Sequence, residues 1–130
     1  MEAPAGSCIL VGEDNESVGY LLKLILEKAG YCVLQAKNGK ELVEIFEQNS
    51  ISMVVTDIQM PVMIGSSAAR LIRENLSQTG RHMPIVAITG VDVDNIDKVM
   101  EDGCFDDYII KPFTKDMIVN MVKKHLNPQG

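Results

Sequence analysis

The chain has 130 residues, 46% of them apolar, and a net charge of −6. That length holds one domain with its own core, while the acidic balance, the absence of a basic block and the lack of Trp argue against a nucleic-acid surface. No apolar run approaches the roughly 18 residues of a membrane span, and no basic segment followed by an apolar one opens the chain. Neither a membrane partner nor secretion is expected, and the implied location is cytoplasmic.

Met1 to Ser7 reads as a disordered lead-in, residues 8–127 as the domain and residues 128–130 as a tail. Cys8 to Gly12 is an apolar run and the first predicted strand. It ends in an abrupt acidic block, Glu13-Asp14-Asn15-Glu16. Acids this close repel one another unless a cation neutralises them; they also suit the N-terminus of a helix, and both readings can hold together. The first helix carries Val18, Leu21, Leu22, Ile25, Leu26 and Ala29 as one apolar stripe and stops at Gly30.

Tyr31 to Ala36 is the second strand, and Asn38 with Glu41 starts a second helix that turns Leu42, Val43, Ile45 and Phe46 inward. Ser52 to Thr56 is the third strand and runs into Asp57, with Pro61 closing off any continuation. The loop from Ile58 to Gly65 is unusually apolar; Met60 to Ile64 suits either a docking patch or packing beneath the third helix. That helix starts at Ser66 or Ser67 and carries Ala69, Leu71, Ile72 and Leu76. Pro84 to Thr89 is the fourth strand. A short fourth helix spans about Val93 to Glu101 and ends at Gly103. Asp107 to Ile110 is the fifth strand, closing on Lys111-Pro112. A last helix, capped by Thr114, turns Met117, Ile118, Met121, Val122 and Leu126 inward.

Five strands alternating with five helices, the strands continuous apolar runs, predict an α/β single domain: a doubly wound parallel sheet covered on both faces. Three cysteines without a CxxC pair make no zinc or disulfide framework, so Cys8, Cys32 and Cys104 read as buried reduced thiols. His82 and His125 lack ligand spacing and read as packed or solvated side chains.

Ligands in such sheets bind beyond the carboxyl ends of the strands. Glu13 and Asp14 stand at the first of these ends, Asp57 at the third, Thr89 at the fourth and Lys111 at the fifth. Three carboxylates suit a hard divalent cation such as Mg2+. A carboxylate can accept a phosphoryl group, an ammonium can clamp it, and a hydroxyl can meet one of its oxygens. Each of these residues alone has a plain structural explanation; their order along the chain is what makes them informative.

In that order, Glu13-Asp14-Asn15, Asp57-Ile58-Gln59-Met60-Pro61, Ile88-Thr89-Gly90 and Tyr108-Ile109-Ile110-Lys111-Pro112-Phe113 resemble a response-regulator receiver domain over roughly Cys8 to Leu126. The resemblance implies a flavodoxin-like five-stranded sheet of order 2-1-3-4-5. It implies Asp57 as acceptor of a phosphoryl group from a phosphohistidine on a histidine kinase or phosphotransfer protein. Asp14 would bind Mg2+ directly, Glu13 mostly through water, and Asp57 and the Gln59 backbone carbonyl would complete the protein ligands. Lys111, joined to Pro112 by a cis peptide, would bind a phosphoryl oxygen. Thr89 and Tyr108 would carry the change to the face made by the fourth helix, fifth strand and fifth helix, where a downstream protein partner docks. The protein would be a signalling switch rather than an enzyme, assisting only its own phosphorylation and dephosphorylation, as a monomer or a phosphorylation-dependent dimer.

Three departures stand out: Glu13 where Asp is usual, Ile64 before Gly65 where Asp is usual, and Gly90 after Thr89 where Ala is common. None removes a reacting group. Two other readings share the sheet. A flavin carrier needs a neutral phosphate-binding loop where this chain has four polar residues, three of them acids. An aspartate phosphatase needs a second acid two residues beyond the nucleophile, where Gln59 stands.

Overall fold

The computed structural model describes residues 8–58, 65–80, 82–90, 100–101 and 103–126. Its elements are β1 (Cys8–Gly12), α1 (Glu16–Lys28), β2 (Val33–Ala36), α2 (Gly39–Gln48), β3 (Ile51–Asp57), α3 (Gly65–Thr79), β4 (Ile85–Thr89), β5 (Asp107–Ile110) and a C-terminal helix (Lys115–Leu126). All pairings are parallel, in the order β2-β1-β3-β4-β5. The doubly wound arrangement expected from the sequence is therefore the one observed. The expected lead-in, the C-terminal tail and most of the expected fourth helix fall outside the described residues. Met100 and Glu101 are helical, and Gly103 follows at φ 73° with its N–H on the Met100 carbonyl.

Alternation along each strand divides the core in two. Leu10, Val54, Ile85 and Ala87 face α2 and α3, meeting Leu42, Phe46, Ala68, Ile72 and Leu76. Ile9, Val11, Met53, Val55 and Ile88 face the other way, against Leu22, Ile25 and Leu26 of α1 and Ile118 and Val122 of the C-terminal helix. β3 lies at the centre, and all seven of its residues are buried. A side chain such as Leu10, Leu22 or Ile72, removed from water completely, contributes about 1.5–3 kcal/mol.

The helix ends follow local chemistry. Asn15 caps α1, its side-chain oxygen accepting from the Val18 N–H at 3.0 Å. Gly30, at φ 98°, ends that helix; its N–H reaches the Glu27 carbonyl and that of Tyr31 the Leu26 carbonyl, which is the Schellman pattern. Asn38 caps α2 by accepting from the Glu41 N–H at 2.8 Å, and Thr114 caps the C-terminal helix by accepting from the Met117 N–H at 3.2 Å.

Several expectations need correction. Leu21, Leu71 and Met117 are exposed, because each lies at the edge of its helix's apolar stripe and turns past the sheet. β2 starts at Val33 rather than Tyr31, β4 at Ile85 rather than Pro84, and α3 at Gly65. Cys8 and Cys32 are not reduced thiols: they form a disulfide. Ile9 pairs with Val33, so the residue before each stands opposite the other, with 4.6 Å between their Cα atoms. Counting cysteines does not reveal that register. Cys104 is free and buried, as expected.

Candidate functional site

β1, β3 and β4 all end at one edge of the sheet, and the turn after β5 reaches the same edge. Register decides which side chains arrive together. Gly12 pairs with Thr56, so the next residues, Glu13 and Asp57, leave adjacent strands side by side. Asp57 pairs in turn with Ile88, one residue before Thr89, and Thr89 pairs with Ile110, one residue before Lys111. The Lys111 N–H donates to the Thr89 carbonyl at 2.8 Å, which holds the turn after β5 against the end of β4. The Lys111–Pro112 peptide is cis, as the resemblance implied.

The side chains converge accordingly. Lys111 Nζ lies 2.7 Å from Asp57 Oδ2 and 3.2 Å from Glu13 Oε1. Carboxylate oxygens of Glu13, Asp14 and Asp57 all lie within 4.8 Å of one another. Glu13 is 5% exposed and Asp57 7%, whereas Asp14 is open to solvent. The acidic block after β1 does two jobs at once: Asn15 caps α1, Glu16 enters its first turn, and Glu13 and Asp14 turn to the site.

Burial pushes the Glu13 carboxyl above its ordinary value, and the nearby Asp57 charge adds to the rise. The Asn15 N–H, which donates to Glu13 Oε2 at 3.2 Å, and the Lys111 ammonium only partly offset it. For Lys111, burial works to lower the pKa, but the hydrogen bond and charge of Asp57, with those of Glu13, outweigh it and leave it raised. The ammonium is thus firmly protonated. One lysine against three acids leaves surplus negative charge, which suits a divalent cation. The donor set, all carboxylate oxygen, suits a hard cation such as Mg2+ rather than a softer metal.

Of the residues expected at the site, Glu13, Asp14, Asp57 and Lys111 are brought together. Thr89 ends β4 at the same edge and is 1% exposed. Tyr108 lies further back on β5, 37% exposed, over a groove shared with Ile110, Met117, Met121 and Lys124. Gln59 and the apolar loop from Met60 to Ile64 lie outside the described residues. Sequence reading did not foresee the pairing of Lys111 with Glu13, whose partners are 98 residues apart. It also missed Arg73, which ties α3 to the opposite edge by donating to the Met83 and Cys104 carbonyls and to Asp106 at 2.8–3.0 Å. Nothing in the local pattern of α3 singles that arginine out.

Comparison with known proteins agrees with this geometry. Among curated proteins, the chain is 35% identical over 114 residues to the CAI-1 autoinducer sensor kinase/phosphatase CqsS of Vibrio cholerae, covering 88% of this chain and 16% of that protein. Among the most similar curated relatives, the chain spans between 7% and 46% of their length. Among solved structures, it is similar to the response regulator TrrA of Thermotoga maritima, in complex with Mg2+–BeF (30% identity, TM-score 0.80, 92% of this chain and 99% of that one). It is also similar to the receiver domain of Ssk1 of Saccharomyces cerevisiae, crystallised with the histidine phosphotransfer protein Ypd1 (27% identity, TM-score 0.85, 95% of this chain and 90% of that one). No helix among the described residues is long and apolar enough to cross a membrane. The model of the response regulator receiver domain matches residues 9–123, and the chain belongs to that family of two-component signalling domains.

Proposed function

We propose that this domain, running over residues 8–127, accepts a phosphoryl group on Asp57 from a phosphohistidine of a histidine kinase or histidine phosphotransfer protein. In that step a carboxylate oxygen of Asp57 bonds to phosphorus as the P–N bond breaks, and the donor imidazole leaves with the bonding pair. The observation that carries the reading is the meeting of Glu13, Asp14 and Asp57 within 4.8 Å, with the Lys111 ammonium 2.7 Å from Asp57.

Glu13, Asp14 and Asp57, with the Gln59 carbonyl, are the groups that would hold Mg2+. When bound, the ion neutralises charge on the incoming phosphoryl oxygens. Lys111, already on the acceptor carboxylate, holds one of those oxygens from the β5 side. The buried acids and the apolar strands beneath them provide a dry floor, where each charge contact is worth more than in water. Thr89, at the end of β4, is the hydroxyl that meets the new phosphoryl group. Its neighbour strand carries Tyr108, which turns inward as the switch is thrown. The surface of the fourth helix, β5 and the C-terminal helix then changes, and a protein partner reads it. The domain assists its own phosphorylation and dephosphorylation but turns over no external substrate, and acts in the cytoplasm as a monomer or a phosphorylation-dependent dimer.

The test is incubation with acetyl phosphate and Mg2+, read by intact mass. The wild type gains one phosphoryl group; Asp57→Asn gains none. Equal labelling of the variant would assign the acceptor elsewhere.

A further inference from the structure

The cross-strand contact directly behind the acids involves Gly12 and Thr56. These residues pair in register between β1 and β3, and each immediately precedes a site carboxylate, Glu13 and Asp57. Gly12 packs against Thr56 so closely that a β-carbon there would collide with Thr56 Oγ1. It would also sit 3.0 Å from Thr56 Cβ and 3.1 Å from Leu42 Cδ1. The missing side chain of Gly12 is therefore the space that the Thr56 hydroxyl enters. Thr56 is completely buried, and its Oγ1 donates to the Asp57 carbonyl oxygen at 2.9 Å.

We propose that Thr56 is a positioning residue for the metal and phosphoryl site: its hydroxyl, admitted by Gly12, holds the Asp57 carbonyl and so fixes how the acceptor leaves β3. The reasoning is geometric. The direction of a carbonyl is set by the ψ of its own residue, so restraining the Asp57 carbonyl restrains the peptide to Ile58. On the far side, the Ile58 N–H is held by the Ile88 carbonyl at 3.3 Å. That peptide is thus gripped from both ends, by a side chain of β3 and by the backbone of β4. It is the last described link before Gln59. On β1, the Glu13 N–H donates to the Ala36 carbonyl at 2.9 Å, which holds the start of the neighbouring acid's turn through the backbone. At the acceptor's strand end, a buried hydroxyl, which must find an acceptor, adds a side-chain restraint to the backbone one.

This inference rests on the proposed metal-dependent reading of the site. Its test compares wild type, Thr56→Val, Thr56→Ser and Gly12→Ala by Mg2+ titration calorimetry, with thermal unfolding in metal-free buffer as a second readout. Thr56→Val keeps the shape and removes the donor. It should stay folded and bind Mg2+ more weakly, by up to about fivefold, the ceiling set by one lost hydrogen bond. Thr56→Ser keeps the donor and should bind as the wild type does. Gly12→Ala displaces the Thr56 hydroxyl and should weaken Mg2+ binding at least as much. Thr56→Val binding Mg2+ with wild-type affinity, or Thr56→Ser as weak as Thr56→Val, would overturn the positioning role while leaving the metal site standing. A wild type that takes up no Mg2+ would overturn both.

Discussion

Replacing Lys111 by Ala should cost stability without metal and return much of it with metal. Lys111 Nζ is 2.7 Å from Asp57 and 3.2 Å from Glu13, and both acids are buried. Stranding a buried charge costs about 3–5 kcal/mol, whereas an exposed pair is worth no more than about 1 kcal/mol. The lysine side chain is 32% exposed, so water covers part of the loss and about 2 kcal/mol is expected. That corresponds to roughly 8 °C in midpoint for a domain of this size. The same substitution removes an ammonium that competes with a cation for Asp57 and Glu13. A weaker repulsion should tighten Mg2+ binding by roughly tenfold, which at saturation returns about 1.4 kcal/mol through binding to the folded state alone. Thermal unfolding of wild type and Lys111→Ala across a Mg2+ titration measures both effects. The gap between the two should narrow as Mg2+ rises. A gap that stays constant, or that never exists, would refute the idea that ammonium and metal share these carboxylates.

Other consequences follow from the same structure. Glu13 has a folded-state pKa raised above 4.5, so between 4.5 and that raised value the folded chain binds more protons than the unfolded one. Its contribution to stability is full below 4.5 and is lost as pH rises through the raised value. In metal-free protein, Glu13→Gln should flatten the pH profile of the unfolding midpoint in that window. Mg2+ affinity of the wild type should weaken as pH falls through the same window, because the protonated carboxyl is a poor ligand; a pH-independent affinity would contradict this. Reducing the Cys8–Cys32 disulfide, whose cysteines are 24 residues apart, should destabilise the domain by about 3 kcal/mol from the freed loop. Denaturant unfolding with and without a thiol reductant checks that. Arg73→Ala strands the Met83 and Cys104 carbonyls and removes one partner of Asp106, which keeps the Ile85 N–H. It should cost about 2–3 kcal/mol in denaturant unfolding, and Arg73→Lys should recover little of it, because a single ammonium cannot match the guanidinium fork.

How much of this was legible in the sequence depended on whether the signal was local. Strands came through as unbroken apolar runs, and Asn38 with Glu41 and the stop at Gly30 marked helix ends, because caps are written in adjacent residues. The acids at Glu13 and Asp14 and the lysine at Lys111 could be assigned to strand ends for the same reason. Whether those ends meet is a question of strand order, which periodicity does not carry and which came from family resemblance. Register was equally hidden. It brings Cys8 opposite Cys32, and Gly12 against Thr56, yet neither pair shares a sequence pattern. Leu21, Leu71 and Met117 show the other limit: an apolar residue at the margin of a helical stripe is buried or exposed according to how far the helix rolls on its sheet.

The central claim is that Asp57 is the residue that receives the phosphoryl group. Reducing the phosphorylated protein with borohydride converts an aspartyl phosphate to homoserine, which peptide sequencing by mass spectrometry can place. Homoserine at position 57, formed only after phosphorylation in the presence of Mg2+, is the predicted result. A reduced residue at position 14, or a phosphoryl group that resists borohydride altogether, would contradict it.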